Sequence, residues 1–332
     1  MGSTACRGPA KGAVLVTGSS TVFPFSSAVA ERLVETAGDQ RVKVASTGTV
    51  HGFAQFCRGP SLEHPDVQNA SRRMTAGEFA MRAKRRERDH GDADRLRWHR
   101  RRPSEGIAVT ELYPIPTLVG HRQGGSTERP LGAQSYTSWR QVSADLPDWP
   151  IRVIGPPRTS GTRDSFTELA MMAGCRSVPE VAAIGDISQR NRVCATVRED
   201  GHWIDAGEDD EAIVRRITTD PDGTLGIFGF SFLDAARDRI EGSAIGGVDD
   251  TPATIASGRY PLSRPLFLYV KRPNLDRIPA LKDYLTEYVS DRALGSGGYL
   301  AQRGLVPLSA DRLREVQSVV RERIVMNRQP NG

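Results

Sequence analysis

The sequence predicts an α/β fold divided into two lobes, and three observations support this prediction. The chain has 332 residues, which is more than one ordinary hydrophobic core accommodates. Short apolar strands alternate with amphipathic helical segments, as in mixed or parallel sheets flanked by helices. Hydrophobic residues make up 38% and charged residues 26% of the chain, which is the composition of a folded globular protein.

The first half of the chain shows the alternation most clearly. A buried-type strand at 13–17 is followed by a Ser/Thr turn and by an amphipathic helix that ends at Gly38. A second strand at 42–45 leads into another Ser/Thr/Gly turn and a helix at 49–57, and a third short strand is predicted near 67–71. The order strand, helix, strand, helix indicates a parallel sheet.

The second half repeats the same kinds of element. We expect strands at 151–154, 223–230 and 266–271 and helices at 160–172 and 279–289. No apolar run reaches about 18 residues, the length of a membrane-spanning helix. The first eleven residues contain no apolar segment of the kind found in a secretion signal.

Three segments share one chemistry, in which a strand ends in a Ser/Thr/Gly turn and a helix follows. They are Gly18-Ser19-Ser20-Thr21, Ser46-Thr47-Gly48-Thr49 and Thr159-Ser160-Gly161-Thr162. The first turn of a helix has N–H groups without intrahelical partners and a partial positive charge. Hydroxyls add donors, and glycine lets the backbone come close, so three such turns predict a site for a small tetrahedral oxyanion. The alternative is that each hydroxyl is only a helix N-cap.

Two arginines strengthen the oxyanion interpretation. Arg72 follows the third strand, and Arg163 follows the third turn directly. A guanidinium offers a planar fork of donors that suits an oxyanion. The alternative for both side chains is a surface salt bridge.

Four cysteines are present, and no pair has the Cys-x-x-Cys spacing of a thiolate metal site. Cys175 and Cys194 flank a loop-like stretch, where they form either a disulfide, if the protein is exported, or two buried free thiols. The six histidines show no metal-ligand spacing, and Ser160 lacks the frame of a nucleophile elbow. We therefore expect no cofactor, no metal and no catalytic residue.

The charge distribution argues against a nucleic-acid-binding protein. The whole chain carries a net charge of +5, but residues 82–102 alone hold ten Lys/Arg and four Asp/Glu, a net of +6. The remainder is therefore close to neutral, at −1. A nucleic-acid surface would spread basic residues over a face with aromatic residues among them.

Several motifs, in this order along the chain, resemble the phosphate-binding subunit (PstS type) of the phosphate ABC transporter. They are Gly18-Ser19-Ser20-Thr21-Val22-Phe23-Pro24-Phe25, Ser46-Thr47-Gly48-Thr49, Asn69-Ala70-Ser71-Arg72, Gly155-Pro156-Pro157-Arg158-Thr159-Ser160-Gly161-Thr162-Arg163-Asp164, Gly226-Ile227-Phe228-Gly229-Phe230 and Ser257-Gly258-Arg259-Tyr260-Pro261-Leu262-Ser263-Arg264. The resemblance covers roughly 13–81 and 136–310. It implies a two-lobed periplasmic binding protein of the Venus-flytrap type, with a cleft between the lobes and two chain crossings. The lobes would be 12–100 with 266–332, and 101–265.

The same resemblance implies a set of phosphate ligands and a biological setting. The implied ligands are Ser20, Thr21, Ser46, Thr47, Arg72, Ser160, Gly161, Thr162 and Arg163. It also implies a Cys175–Cys194 disulfide, a periplasmic or secreted monomer, and a membrane permease as partner. At the Arg72 position some relatives carry a carboxylate that accepts the proton of hydrogen phosphate, and this chain lacks it. Specificity for phosphate over sulfate therefore depends on other groups.

Residues 82–133 depart from the family, whose members carry there a strand of the type Gly-Phe-Asp-Gly-Ile-Ala-Val-Ala. Codons for that strand, read one base out of frame, spell Arg-Leu-Arg-Trp-His-Arg-Arg-Arg, which is the sequence at 95–102. We hypothesise a frameshift across this segment, which spans a hinge crossing, and expect the sheet to lose a strand there. The alternative is a genuine basic, solvated insertion.

Other functions stay open at this point. A binder of another tetrahedral oxyanion, such as sulfate or molybdate, would use similar turns. A phosphatase-like enzyme would need a nucleophile with a base or a metal. Nucleic-acid binding through 82–102 would depend strongly on salt.

Overall fold

The computed structural model of the protein describes residues 12–38, 41–59, 61–79, 105–109, 136–175, 178–220 and 223–324. The chain divides into two compact units. Unit 1 combines Met1–Pro103 with Leu266–Gly332, and unit 2 is Ser104–Pro265.

Both units consist of short strands and helices, and the predicted elements are confirmed with ends shifted by up to three residues. The strands are β1 (Val14–Gly18), β2 (Val42–Ser46), β3 (Val67–Ala70), β4 (Glu105–Val109), β5 (Arg152–Gly155), β6 (Trp203–Asp205), β7 (Thr224–Gly229), β8 (Ser263–Arg264) and β9 (Phe267–Val270). The helices are α1 (Phe23–Ala37), α2 (Thr49–Phe56), α3 (Gly161–Phe166), α4 (Met172–Cys175), α5 (Pro179–Ala182), α6 (Ile187–Ala195), α7 (Asp210–Ile217), α8 (Phe230–Asp234), α9 (Pro252–Ala256), α10 (Pro279–Tyr288), α11 (Asp291–Leu294) and α12 (Ala310–Arg321). Three short 3₁₀ helices lie at Trp139–Gln141, Arg272–Leu275 and Ala301–Arg303.

Unit 1 contains a four-stranded sheet with the order β2-β1-β3-β9. β1 is parallel to both β2 and β3, as the alternation of strands and helices predicts. β9 returns from the C-terminal part of the chain and pairs antiparallel with β3. The sheet is therefore mixed, and its parallel part comes from the N-terminal part of the chain.

Apolar residues cover both faces of this sheet. Phe25, Val29 and Leu33 lie on one stripe of α1 at a spacing of four residues and are buried in a core that also includes α10 and α12. A second core cluster, which includes α2 residues, contains Phe53 and Tyr269. Because adjacent residues of β9 contribute to different clusters, the two clusters lie on opposite faces.

Unit 2 contains a five-stranded sheet with the order β6-β5-β7-β4-β8. β5 is parallel to β6 and β7, whereas β4 is antiparallel to β7 and β8. β4 lies inside the unusual segment 82–133, so the expectation that this segment supplies no strand is wrong for 105–109. Glycine followed by Ile-Ala-Val is compatible with a strand in the middle of a sheet. The rest of 82–133 lies outside the described residues, and the frameshift stays a hypothesis.

The helical run after Ser160 is longer than expected and changes its winding. α3 continues into a π-helical turn, Thr167–Met171, and then into α4. Cys175 ends this run and is bonded to Cys194 on α6, with Cα atoms 5.6 Å apart. The predicted disulfide is confirmed. Val181 packs against the two cysteines in a small buried cluster.

Candidate functional site

The carboxyl ends of three parallel strands meet at one edge of the unit 1 sheet. Gly18, the last residue of β1, is in register with Ser46 on one side and with Asn69 on the other. The residues that follow these strands therefore leave the sheet at the same edge. Five of the sequence-predicted ligands lie at this edge or directly after it: Ser20, Thr21, Ser46, Thr47 and Arg72.

Gly18 makes the close approach of these strands possible. Its φ of +130° is unfavourable for other residues, and an added Cβ would lie 2.0 Å from the carbonyl oxygen of Asn69. That carbonyl accepts a hydrogen bond from the Ser19 amide, at 3.0 Å. The Gly18 carbonyl accepts from the amides of Thr47 and Gly48, at 2.8 and 2.9 Å. Three amides of the first two turns, those of Ser19, Thr47 and Gly48, are therefore already bonded to backbone carbonyls.

The first turn precedes its helix as predicted, but no hydroxyl of the turn caps that helix. α1 begins at Phe23, its N-cap residue is Val22, and no side chain caps it. Pro24 lies in the first turn, where its missing N–H costs nothing. Ser20 and Thr21, which are 4% and 0% exposed, lie in the turn before the helix. A helix follows this turn as predicted, and neither Ser20 nor Thr21 caps it, so the alternative that these hydroxyls are only N-caps does not hold here. Both side chains are buried at the predicted edge.

The second turn places its two predicted ligands in different surroundings. Ser46 is exposed at the end of β2, whereas the hydroxyl oxygen of Thr47 is buried and makes no hydrogen bond. Gly48 is the N-cap of α2 with a φ of +77°. Thr49 links this turn to the end of β3, because its hydroxyl lies 3.2 Å from the hydroxyl of Ser71. The Thr47 hydroxyl therefore has hydrogen-bonding capacity that the fold does not use.

Arg72 is held by a carboxylate that sequence reasoning missed. Its Nη1 and Nη2 atoms each donate to the Glu78 carboxylate at 2.9 Å, and its guanidinium lies 5.8 Å from the centre of the Phe53 ring. The Thr75 amide also donates to Glu78, at 2.7 Å, and the Glu78 amide donates to the Thr75 hydroxyl at 3.2 Å. These reciprocal bonds form a capping box, and the Thr-x-x-Glu spacing is a sequence signal for it. This chain lacks the carboxylate that some relatives carry at position 72, but the Glu78 carboxylate lies directly beside Arg72.

In unit 2, the turn after β5 places a second group of donors. The Ser160 hydroxyl accepts a hydrogen bond from the Thr162 amide at 3.1 Å, so Ser160 is the N-cap of the helical run. Ser160, Thr162 and Arg163 are 2%, 0% and 9% exposed, and Gly161 between them is also buried. The N-cap considered as the alternative to an anion site is present at Ser160. The side chains around it also form one buried polar cluster.

Arg264 contacts this cluster from β8 and is not among the predicted ligands. Its Nη2 atom donates to the Thr162 hydroxyl at 3.0 Å, and its Nε atom donates to the Ser165 hydroxyl at 2.7 Å. Ser165 in turn donates to the Gly161 carbonyl at 2.8 Å. Arg264 is 6% exposed. It therefore brings a second buried guanidinium to the cluster, through contacts about a hundred residues apart in sequence.

Arg163 lies over an aromatic ring. Its Cζ atom is 4.0 Å from the centre of the Trp203 ring, and its Nη1 atom donates to the Pro156 carbonyl at 3.3 Å. Burial lowers the pKa of Arg163, and the nearby charge of Arg158 lowers it further. The pKa of an arginine side chain is normally so far above 7 that Arg163 keeps its positive charge near neutral pH.

Comparison with known proteins identifies the family. A family model described as a PBP superfamily domain matches residues 3–292. The chain belongs to the PBP superfamily. Two proteins of similar sequence are Protein SphX of Synechococcus elongatus and Phosphate-binding protein PstS of Staphylococcus epidermidis (strain ATCC 12228). The first is 29% identical over 90% of this chain and 78% of its own length. The second is 26% identical over 89% of this chain and 79% of its own length.

Solved structures support the PBP fold. An ABC-type phosphate transport receptor from Vibrio cholerae is 18% identical, with a TM-score of 0.52 over 88% of this chain and 98% of that one. A phosphate binding protein from Stenotrophomonas maltophilia is 15% identical, with a TM-score of 0.56 over 92% and 93%. The α/β fold prediction is confirmed, and so is the predicted resemblance to PstS-type binding proteins, which are not enzymes.

Two further observations concern the described residues only. Among them, no three or more His, Cys, Asp or Glu residues are grouped so that they could hold a metal ion. Within the same parts of the chain, no helix has both the length and the apolar character needed to cross a membrane.

Proposed function

We propose that this PBP-superfamily chain captures inorganic phosphate with high affinity as the solute-binding subunit of an ABC importer. The observation that carries the proposal is the alignment of three strand ends in unit 1, which brings Ser20, Thr21, Thr47 and Arg72 to one edge. The names of the relatives support phosphate as the ligand, because the Staphylococcus epidermidis relative is a phosphate-binding protein. Hydroxyl and guanidinium donors suit an oxyanion.

The proposed ligands fall into two groups, one in each unit. In unit 1 these are Ser20, Thr21, Ser46, Thr47 and Arg72, and in unit 2 they are Ser160, Gly161, Thr162 and Arg163. The support for the second group is its burial around the Ser160 N-cap, with the positive charges of Arg163 and Arg264 close by.

We also propose that the loaded protein is a monomer that delivers phosphate to the membrane permease of the importer. Its proposed location is the periplasm or the outside of the cell. The Cys175–Cys194 disulfide supports this location, because disulfides persist in oxidising compartments.

Thermal unfolding with and without millimolar phosphate, with sulfate and molybdate in parallel, tests the ligand. A ligand that binds only the folded protein raises its stability by RT ln(1 + [L]/Kd), about 4 kcal/mol at roughly a thousandfold excess over Kd. We expect a clear rise in Tm with phosphate and none with sulfate. An equal rise with sulfate or molybdate would assign another oxyanion, and a cooperative transition that ignores all three would overturn the proposal.

Two variants test the two groups of ligands by isothermal titration with phosphate. Thr47→Val removes a buried hydroxyl that makes no internal hydrogen bond, so affinity should fall while stability without phosphate is maintained. Arg163→Met removes one charge-assisted donor, so affinity should fall by about tenfold to a hundredfold. Arg303→Met is the matched control, because Arg303 is exposed and pairs with Glu31 on the surface of unit 1. Unchanged affinity in Thr47→Val or Arg163→Met would remove that residue from the site.

A further inference from the structure

Trp203 is the aromatic residue on which the Arg163 guanidinium rests. The Cζ atom of Arg163 is 4.0 Å from the ring centre, well inside the range of about 6 Å over which a cation is attracted to an aromatic face. Because Arg163 is only 9% exposed, little water competes with this contact. The Pro156 carbonyl accepts from the Nη1 atom at 3.3 Å and restricts the guanidinium further.

The fold makes room for this ring beside the turn. An added Cβ at Gly155 would lie 2.4 Å from Cζ2 of Trp203, so a residue other than glycine there would displace the indole. The centres of the Trp203 and Phe166 rings lie 6.1 Å apart, so the two rings also pack against each other. Gly155, Phe166 and Arg163 all belong to the segment around the Ser160 turn, and Trp203 reaches them from β6, the strand next to β5.

The indole N–H is not the reason for a tryptophan at this position. Nε1 of Trp203 is buried and makes no hydrogen bond. Leaving such a donor unsatisfied is unfavourable, and a phenylalanine would avoid that cost. The large ring face under the guanidinium is therefore the property that distinguishes Trp203 from its possible replacements, since tryptophan has the strongest cation–π face.

We propose that Trp203 is a positioning residue for Arg163: it holds the guanidinium flat, so that the in-plane N–H groups are directed sideways to a bound oxyanion. The inference rests on the proposed phosphate-binding function and deepens it. A stacked guanidinium loses little conformational freedom when it binds, because its plane is already fixed. Trp203 itself donates nothing to the anion and acts only through Arg163.

A double-mutant cycle with inorganic phosphate tests this inference. Trp203→Leu should weaken binding between about threefold and thirtyfold, and Trp203→Phe should weaken it less. In an Arg163→Met background, Trp203→Leu should cause no further loss, because a residue that acts through Arg163 has nothing left to position. Trp149→Leu is the matched control, since Trp149 is 38% exposed and precedes the opposite end of β5.

Tryptophan fluorescence provides a second readout, first in the unaltered protein and then in two variants. Phosphate should change the emission, and the change should disappear in Trp203→Phe and in Arg163→Met. If the unaltered protein does not bind phosphate, the proposed function fails. If it binds, but the loss in Trp203→Leu persists in the Arg163→Met background, or the emission change survives Trp203→Phe, the positioning role is overturned and the function stands.

Discussion

Substitution of Glu78 measures how much the Arg72–Glu78 ion pair stabilises unit 1. The Glu78 carboxylate accepts two hydrogen bonds from Arg72 at 2.9 Å and one from the Thr75 amide at 2.7 Å. The Arg72 and Glu78 side chains are only 15% and 9% exposed. Glu78→Gln keeps the size of the side chain and removes the charge.

The expected loss follows from these three bonds. A glutamine has one acceptor oxygen, so its NH₂ group must face at least one N–H donor of Arg72 or Thr75. A hydrogen bond to a charged group contributes about 1.5–3 kcal/mol. Breaking a fully buried pair costs about 3–5 kcal/mol, and the partial exposure of Arg72 reduces this figure. We therefore expect a loss of about 2–3 kcal/mol, or about 5–10 °C in the Tm of a unit of this size.

Differential scanning calorimetry without phosphate is the assay, because the measured Tm then contains no contribution from a bound ligand. Glu31→Gln is the matched control: Glu31 pairs with Arg303 at 3.1 Å, but the two side chains are 57% and 54% exposed. An exposed pair contributes about 0–1 kcal/mol. Equal effects of Glu78→Gln and Glu31→Gln would refute the reasoning, because burial would then make no difference to the pair.

Two further predictions concern unit 2. Replacing Cys175 and Cys194 by alanine removes a cross-link between residues 19 apart, which should destabilise the unit by about 3 kcal/mol; an unchanged midpoint in urea would contradict this. Burial raises the pKa of Glu208 from 4.5 to about 7, so the folded protein holds this proton more tightly than the unfolded chain does. Stability should therefore fall as pH rises from about 4.5 to about 7. Glu208→Gln should flatten this part of the Tm–pH curve, and an unaltered slope would assign it to other groups.

Local chemistry is what the sequence predicts well. The Gly18 and Ser160 turns could be placed because Ser, Thr and Gly have strong preferences next to strand ends and helix starts. The helix predicted to follow Thr21 starts at Phe23, and Pro24 suits its first turn, but its N-cap is Val22 and not a hydroxyl residue. Positions of turns are thus predictable to a few residues, whereas the cap itself depends on details of the backbone.

Contacts between distant segments could not be predicted in the same way. Arg264 reaches Thr162 across 102 residues, and Trp203 reaches Arg163 from another strand. No spacing in one sequence encodes such contacts, since they depend on strand order. Among the site residues that sequence reasoning missed, Glu78 could have been predicted, because the Thr-x-x-Glu spacing is a local sequence signal for a capping box.

The pairing of β9 with β3 has a consequence for the order in which the protein folds during synthesis. Val67 pairs with Val270, and the residues of unit 2 lie between them in the chain. Unit 2 is a continuous segment and is complete on the ribosome before Phe267 is made. Until then β3 keeps an open edge, which is a template for pairing with other chains. The sheet of unit 1 is therefore the last to be completed, although its first strands are made first. The exposed edge of β3 is the part of the nascent chain that a chaperone or export factor would need to shield.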